Sequence, residues 1–298
     1  ENSSEKRYDT KGGNFMKKKI LAVTIATALI VSCFTSCGNN TSSDSQASQA
    51  ESSTTVSADS TSSATDISSD TSDSGSDSDK HLTADDMFTD RDLSGDYSEC
   101  TDITLSDSMA SCSDSSVTVA DGSVTITKAG TYKLSGTFTG QIVVNAGDSD
   151  KVQLVLDNAS ITKEGSAALY IINADKVFIT TVKGTENTLS STGEFASSDD
   201  ATNVDGAIFS KSDITFNGSG TLNVKCESKH GIVTKDDLKI TGGTYNITSA
   251  SQGLSGKDSV RIAGGNITVT SGTDGIHSEN TDDTEKGYVY ILTNPSFR

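Results

Sequence analysis

The C-terminal half of the chain alternates apolar and polar residues in short runs, and the runs recur. Residues 238–249 read L-K-I-T-G-G-T-Y-N-I-T-S, and residues 260–271 read V-R-I-A-G-G-N-I-T-V-T-S. Period-two alternation over so few residues is the pattern of a half-buried strand, and each run is too short for a helix. One unit carries three such runs, G-I-V-T, L-K-I-T and T-Y-N-I-T, separated by Lys-Asp and Gly-Gly turns. The leading glycines Gly206, Gly231, Gly253 and Gly275 stand 25, 22 and 22 residues apart. A repeat of that length signals a solenoid. The expected architecture is all-β: a right-handed parallel β-helix with coils of about 22 residues. Ile232, Leu238, Ile240, Tyr245 and Ile247 are expected inside. Leu254, Val260, Ile262, Ile267 and Val269 of the next coil should lie over them at about 4.8 Å.

The rest of the chain is organised around this stack. Weaker copies begin near Gly140 and Ala167. Residues 191–204 read as an insertion, and residues 81–130 as an N-terminal cap region, because the open end of a coil stack needs cover. The stack proper is assigned to 131–298. It is expected to be C-terminally truncated, since the chain stops inside a coil after Tyr290-Ile291.

Residues 16–37 run from Met16 through three lysines and an apolar stretch to Cys37. This is the plan of a secretory signal peptide, and its apolar run is too short to span a bilayer comfortably. A Cys at the end of such a run makes Cys37 the expected lipidation site. Ile30-Val31-Ser32-Cys33 is a rival motif. Residues 1–15 fit no part of this plan and read as a translated leader ahead of Met16. Residues 38–80 hold 22 Ser or Thr and eight acidic residues among 43. Such a segment cannot bury enough apolar surface to fold and reads as a disordered linker.

Composition narrows the chemistry. The chain has 298 residues, a formal charge of −18, no Trp and one Pro. That charge excludes nucleic acid, which needs a basic footprint. No Ser-His-Asp arrangement, zinc spacing or phosphate loop appears. Cys226 follows the Leu222/Val224 alternation and reads as a buried small residue. Cys100 and Cys112 are candidates for pairing in an exported environment.

Several stretches then carry a family resemblance. F-T-D-R-D-L-S-G-D-Y (88–97), V-T-I-T-K-A-G-T-Y-K-L-S-G-T (124–137), K-V-Q-L-V-L-D-N-A-S-I-T (151–162) and K-D-D-L-K-I-T-G-G-T (235–244) resemble the polysaccharide-binding β-helix lipoproteins. These are carbohydrate-binding domain-containing proteins with a fold similar to family 9 pectate lyases. The resemblance implies a calcium-binding β-helix that binds cellulose and polygalacturonate without established lyase chemistry.

The candidate site lies on the turn after the first strand of each unit: K-S-D (211–213), K-D-D (235–237) and K-D-S (257–259). Stacking would place Asp213, Asp236, Asp237 and Asp258 in an acidic ladder. Shielded carboxylates need a cation, and Ca2+ takes six to eight oxygens of this kind. Lys211, Lys235 and Lys257 sit beside the acids in sequence. They are expected either to neutralise them or to meet the carboxylates of an acidic glycan. Asp274, Glu279, Asp282 and Asp283 form a second, looser cluster. Tyr132, Tyr170, Tyr245, Tyr288 and Tyr290 read mostly as core, so a charged or amorphous glycan is favoured over a crystalline face. The reading is a monomeric, lipid-anchored protein on the extracellular face of a bacterial membrane. It would bind plant cell-wall polysaccharide with calcium and without catalysis. A calcium-dependent lyase, with Lys235 or Lys257 as base, and a structural adhesin are the alternatives.

Overall fold

The computed structural model describes residues 87–196 and 203–292. The expected leader, signal peptide, Cys37 site and linker lie outside them. The described residues form one helical turn, α1 (Asp90–Leu93), and 21 strands. The early strands are β1 (Thr101–Asp107), β2 (Met109–Ser111), β3 (Val117–Ala120), β4 (Ser123–Ile126), β5 (Gly130–Thr139), β6 (Gln141–Asn145), β7 (Lys151–Glu164) and β8 (Leu169–Asn173). Four coils follow. They are β9 (Lys176–Thr181), β10 (Glu186–Thr192) and β11 (Gly206–Ser210); then β12 (Asp213–Gly218), β13 (Thr221–Cys226) and β14 (His230–Thr234). Next come β15 (Asp237–Ile240), β16 (Thr244–Ser249) and β17 (Leu254–Gly256); then β18 (Ser259–Ile262), β19 (Asn266–Ser271) and β20 (Ile276–Ser278). A last strand, β21 (Tyr288–Ile291), lies against β18.

From β9 onward each strand pairs in parallel with the strand three places later, which gives the stack three faces. Face A is β9, β12, β15, β18 and β21. Face B is β10, β13, β16 and β19. Face C is β8, β11, β14, β17 and β20. The long β7 belongs to two faces, pairing with β9 through Lys151–Leu156 and with β10 through Ser160–Glu164. Among the described residues, antiparallel pairs occur only where β2 meets β1 and β3 meets β4. The protein is thus all-β with mostly parallel strands.

The turn from face A to face B needs the left-handed backbone region. Gly218, Gly243 and Gly265 hold it with φ of 93°, 95° and 102°. A β-carbon at Gly218 would stand 2.3 Å from the Thr181 carbonyl oxygen, so glycine is required there sterically as well. In β7 the same corner falls to Asn158 at φ 54°, a residue type that tolerates this region.

Register places like residues over like. Leu222, Tyr245 and Ile267 align on face B, and Ile214, Leu238 and Val260 on face A. The first expected inward set, Ile232 to Ile247, is fully buried, as are Leu254, Val260 and Ile262. Ile267 and Val269 of β19 are half-buried. The tyrosines divide. Tyr132 and Tyr245 are core, whereas Tyr170, Tyr288 and Tyr290 are only partly covered. They occupy the outward half of the alternation, which corrects the reading of them as core. Cys226 is buried, and Cys100 and Cys112 are free thiols.

Candidate functional site

The corner between faces C and A carries the expected ladders. The amides of Lys211, Lys235 and Lys257 donate to Ile171, Ser210 and Thr234, so the three lysines are stacked. One residue on, the Asp258 amide donates to the Asp236 carbonyl. One further, Asp213 pairs with Lys176 and Asp237 with Ser259 in the strand register. The repeat therefore lines up its turn residues because the strands on either side are in register.

The two ladders point to different sides of the corner. Asp213, Asp236, Asp237 and Asp258 line a cleft of about 430 Å³ beside face A, together with Asp175, Asp283, Glu285, Arg261, Lys286 and Tyr288. Lys235 and Lys257 line a separate cleft of about 360 Å³ beside face C. Lys257 pairs with Asp282 at 2.9 Å, and the Lys235 ammonium sits 5.2 Å from the Phe209 ring centre. Lys211 is exposed. Ion pairs to three of the four acids come from elsewhere in the chain. Lys176 lies 3.6 Å from Asp213, Arg261 3.0 Å from Asp237, and Lys286 2.6 Å from Asp258. The second loose cluster is also split. Asp274 and Glu279 flank His277, Asp282 faces Lys257, and Asp283 lines the acidic cleft.

Hydrogen bonds order the acidic cleft. The Asp237 amide donates to Asp213 Oδ1 at 3.2 Å, Ser259 Oγ to Asp237 Oδ1 at 2.6 Å, and Asn280 Nδ2 to Asp258 Oδ1 at 2.7 Å. The lining still holds seven carboxylates against two cations. Burial, the Asp213 charge and the neighbouring Asp258 push the Asp236 carboxyl up to about 7. Burial and Asp237 raise Asp213 as well. At Asp258 burial is outweighed by hydrogen bonds from Lys286, Asp236 and Asn280, and its carboxyl falls below the usual value. The donor set fits a hard divalent cation in kind, being all carboxylate oxygen with negative charge to spare. Among the described residues no three His, Cys, Asp or Glu converge on one point. The Lys286 ammonium occupies one of the carboxylates that would have to turn.

A third arrangement lies on the outer side of face A. The outward residues of face A form a column: Gln153, Phe178, Thr215, Lys239, Arg261 and Tyr290, each in register with the next. Residues 87–96 lie across it. Asp92, fully buried, accepts from Lys176 Nζ at 3.2 Å, Lys239 Nζ at 3.1 Å and Thr215 Oγ1 at 2.8 Å. Its other partner is Thr89, whose amide donates to Asp92 Oδ2 at 3.0 Å in the capping box of α1. Burial raises the Asp92 carboxyl, but these donors and the two lysine charges hold it far below the usual carboxylate range. The sequence signal for the column was the middle residue of I-T-F, L-K-I and V-R-I. For the strap there was no local signal, since Asp92 and its lysines lie 84 and 147 residues apart.

A coil-stacked β protein with a charged corner and a polar, aromatic outer face is the class these features define. Residues 120–294 match the model of the carbohydrate-binding domain-containing proteins, and the chain belongs to that family. A carbohydrate-binding domain-containing protein of Acetivibrio thermocellus is 49% identical over 165 residues, which is 55% of this chain and 58% of the relative. The chain thus spans 58% of the length of that curated relative. A solved polysaccharide lyase-like protein from C. thermocellum, a gadolinium derivative, is 39% identical, with a TM-score of 0.62 over 65% of this chain and 79% of that one.

Proposed function

We propose that the chain is a non-catalytic receptor for plant cell-wall polysaccharide of the cellulose or polygalacturonate type, displayed on a right-handed parallel β-helix similar to pectate lyases. The observation that carries this reading is the register-locked corner, which sets carboxylates and lysines in parallel rows on a member of a carbohydrate-binding family. An acidic protein can hold an acidic glycan only through a cation or a local basic row. The acidic cleft offers the first, with Asp213, Asp236, Asp237 and Asp258 as the residues that would hold calcium. Lys211, Lys235 and Lys257 offer the second. Calcium, when bound, would neutralise the cleft and present its remaining coordination positions to uronate oxygens. Residues 16–37 would export the chain, Cys37 would anchor it by lipid on the outer face of the membrane, and it would act as a monomer on its linker.

The test is a pull-down of the full chain on pectate and on amorphous cellulose, with calcium and with a chelator. Retention on pectate that falls at least about tenfold with chelator is expected, since losing one charge-assisted contact is worth that much. No retention on either glycan under any condition sinks the reading.

A second reading, a polysaccharide lyase, has one observation in its favour. It is the 39% identity to a solved polysaccharide lyase-like protein; Lys235 or Lys257, both lining the cleft beside face C, would be the base. Ultraviolet absorbance from unsaturated uronate ends, growing with time on pectate, would establish it.

A further inference from the structure

We propose that the outer face A of the stack is a binding groove for an acidic sugar chain, and that residues 87–97 occupy it as a built-in competitor, Asp92 taking the place of a sugar carboxylate. This rests on the reading of the chain as a glycan receptor, but it assigns a different surface from the corner.

The groove is lined with donors. Gln153 Nε2 donates to the Asp96 carbonyl at 3.2 Å, Asn217 Nδ2 to the Ser94 carbonyl at 2.8 Å, and Arg261 Nη1 to the Met87 carbonyl at 3.4 Å. Thr241 Oγ1 donates to the Asp92 carbonyl. The strap supplies the acceptors, and one carboxylate seated between two lysines and a hydroxyl. A chain that is rich in oxygen acceptors and carries carboxylates at intervals is also the description of a polyuronate. The strap also covers the aromatic members of the column. The Arg91 guanidinium lies 4.5 Å from the Phe178 ring centre, and Phe88 packs on Tyr290 at 6.4 Å.

The strap spans five strand steps from β21 back to β7, about 24 Å at the usual spacing. It has little apolar hold over that distance. Only Met87, Phe88 and Asp92 are buried, while Leu93 is 56% exposed and residues 96–99 are exposed. A seal built for stability would bury apolar side chains. This one is held mainly by polar contacts that a glycan can replace one for one, and its exposed trailing segment can act as the hinge.

The experiment is calorimetric titration of oligogalacturonate, and of a cello-oligosaccharide of equal length, into the full chain and into Asp92→Asn. Removing the carboxylate from its seat opens the groove, and the binding-competent fraction rises. Oligogalacturonate affinity is expected to increase about ten- to hundredfold, the worth of a hydrogen bond to a charged group. The cello-oligosaccharide should gain less. Adding Lys239→Met to Asp92→Asn should abolish the gain. Equal oligogalacturonate affinities for the full chain and Asp92→Asn overturn the groove and leave the receptor reading standing. Binding of neither sugar by either protein removes both. Should Asp92→Asn fail to fold, a specific protease site placed between Tyr97 and Glu99 is cut after folding. Oligogalacturonate should then release the freed strap in size exclusion, and a strap that stays bound at saturating sugar overturns the proposal.

Discussion

At Asp236 the repeat has set one carboxylate too many into a partly shielded cleft. Its carboxyl is pushed up to about 7 by burial and by Asp213 and Asp258, against about 3.9 in an unfolded chain. Between those values the folded state holds a proton that the unfolded chain has released, so stability falls as pH rises through the window. Asp236→Asn is expected to raise the unfolding free energy at pH 8 by about 1–2 kcal/mol, a figure reduced for solvent screening at this partly exposed site. Near pH 4 the variant should match the parent. Thermal melts at the two pH values check this, and an effect independent of pH would count against it. Tyr245 gives a second test. Its side chain is fully buried against Phe216, and its hydroxyl has no hydrogen-bond partner. Tyr245→Phe removes an uncompensated polar group and should stabilise by about 1 kcal/mol in denaturant unfolding.

At the scale of the elements, the sequence was informative wherever a rule was local. Alternation in L-K-I-T and T-Y-N-I-T placed Leu238, Ile240, Tyr245 and Ile247 inside, and they are buried. The Gly-Gly turns are where the backbone enters the left-handed region. The same alternation leaves Lys239 and Arg261 on the outward side, with Tyr290 in register beyond them although it reads as core in the sequence, and nothing local could say what would cover them. The strap reaches them across more than a hundred residues. Residues 87–97, assigned to a cap over the end of the stack, lie along its side instead, because their buried carboxylate finds its lysines on face A. The corner was half legible for a related reason. Stacking of the turns follows from the repeat, but the side on which each side chain leaves the corner depends on strand pleat. The acids are therefore paired with Lys176, Arg261 and Lys286 rather than with the adjacent lysines.

A stack of coils is nearly one-dimensional, each layer touching chiefly the layers above and below it, so such molecules come apart from their ends. Residues 87–97 break that rule. They touch β7, β12, β15, β18 and β21 at once through Gln153, Asn217, Lys239, Arg261 and Tyr290. Hydrogen exchange should therefore show the amides of β18 and β21 protected almost as well as those of β12. Cutting after Tyr97 should speed exchange at the outermost layers first. If the cut changes nothing there, the layers hold without help. The strap thus acts as a splint laid across the grain of the stack, coupling layers that would otherwise fray independently. A sugar chain that displaced it would take over the same load, so the occupied receptor would stay stiff along its length while its own N-terminal segment swung free.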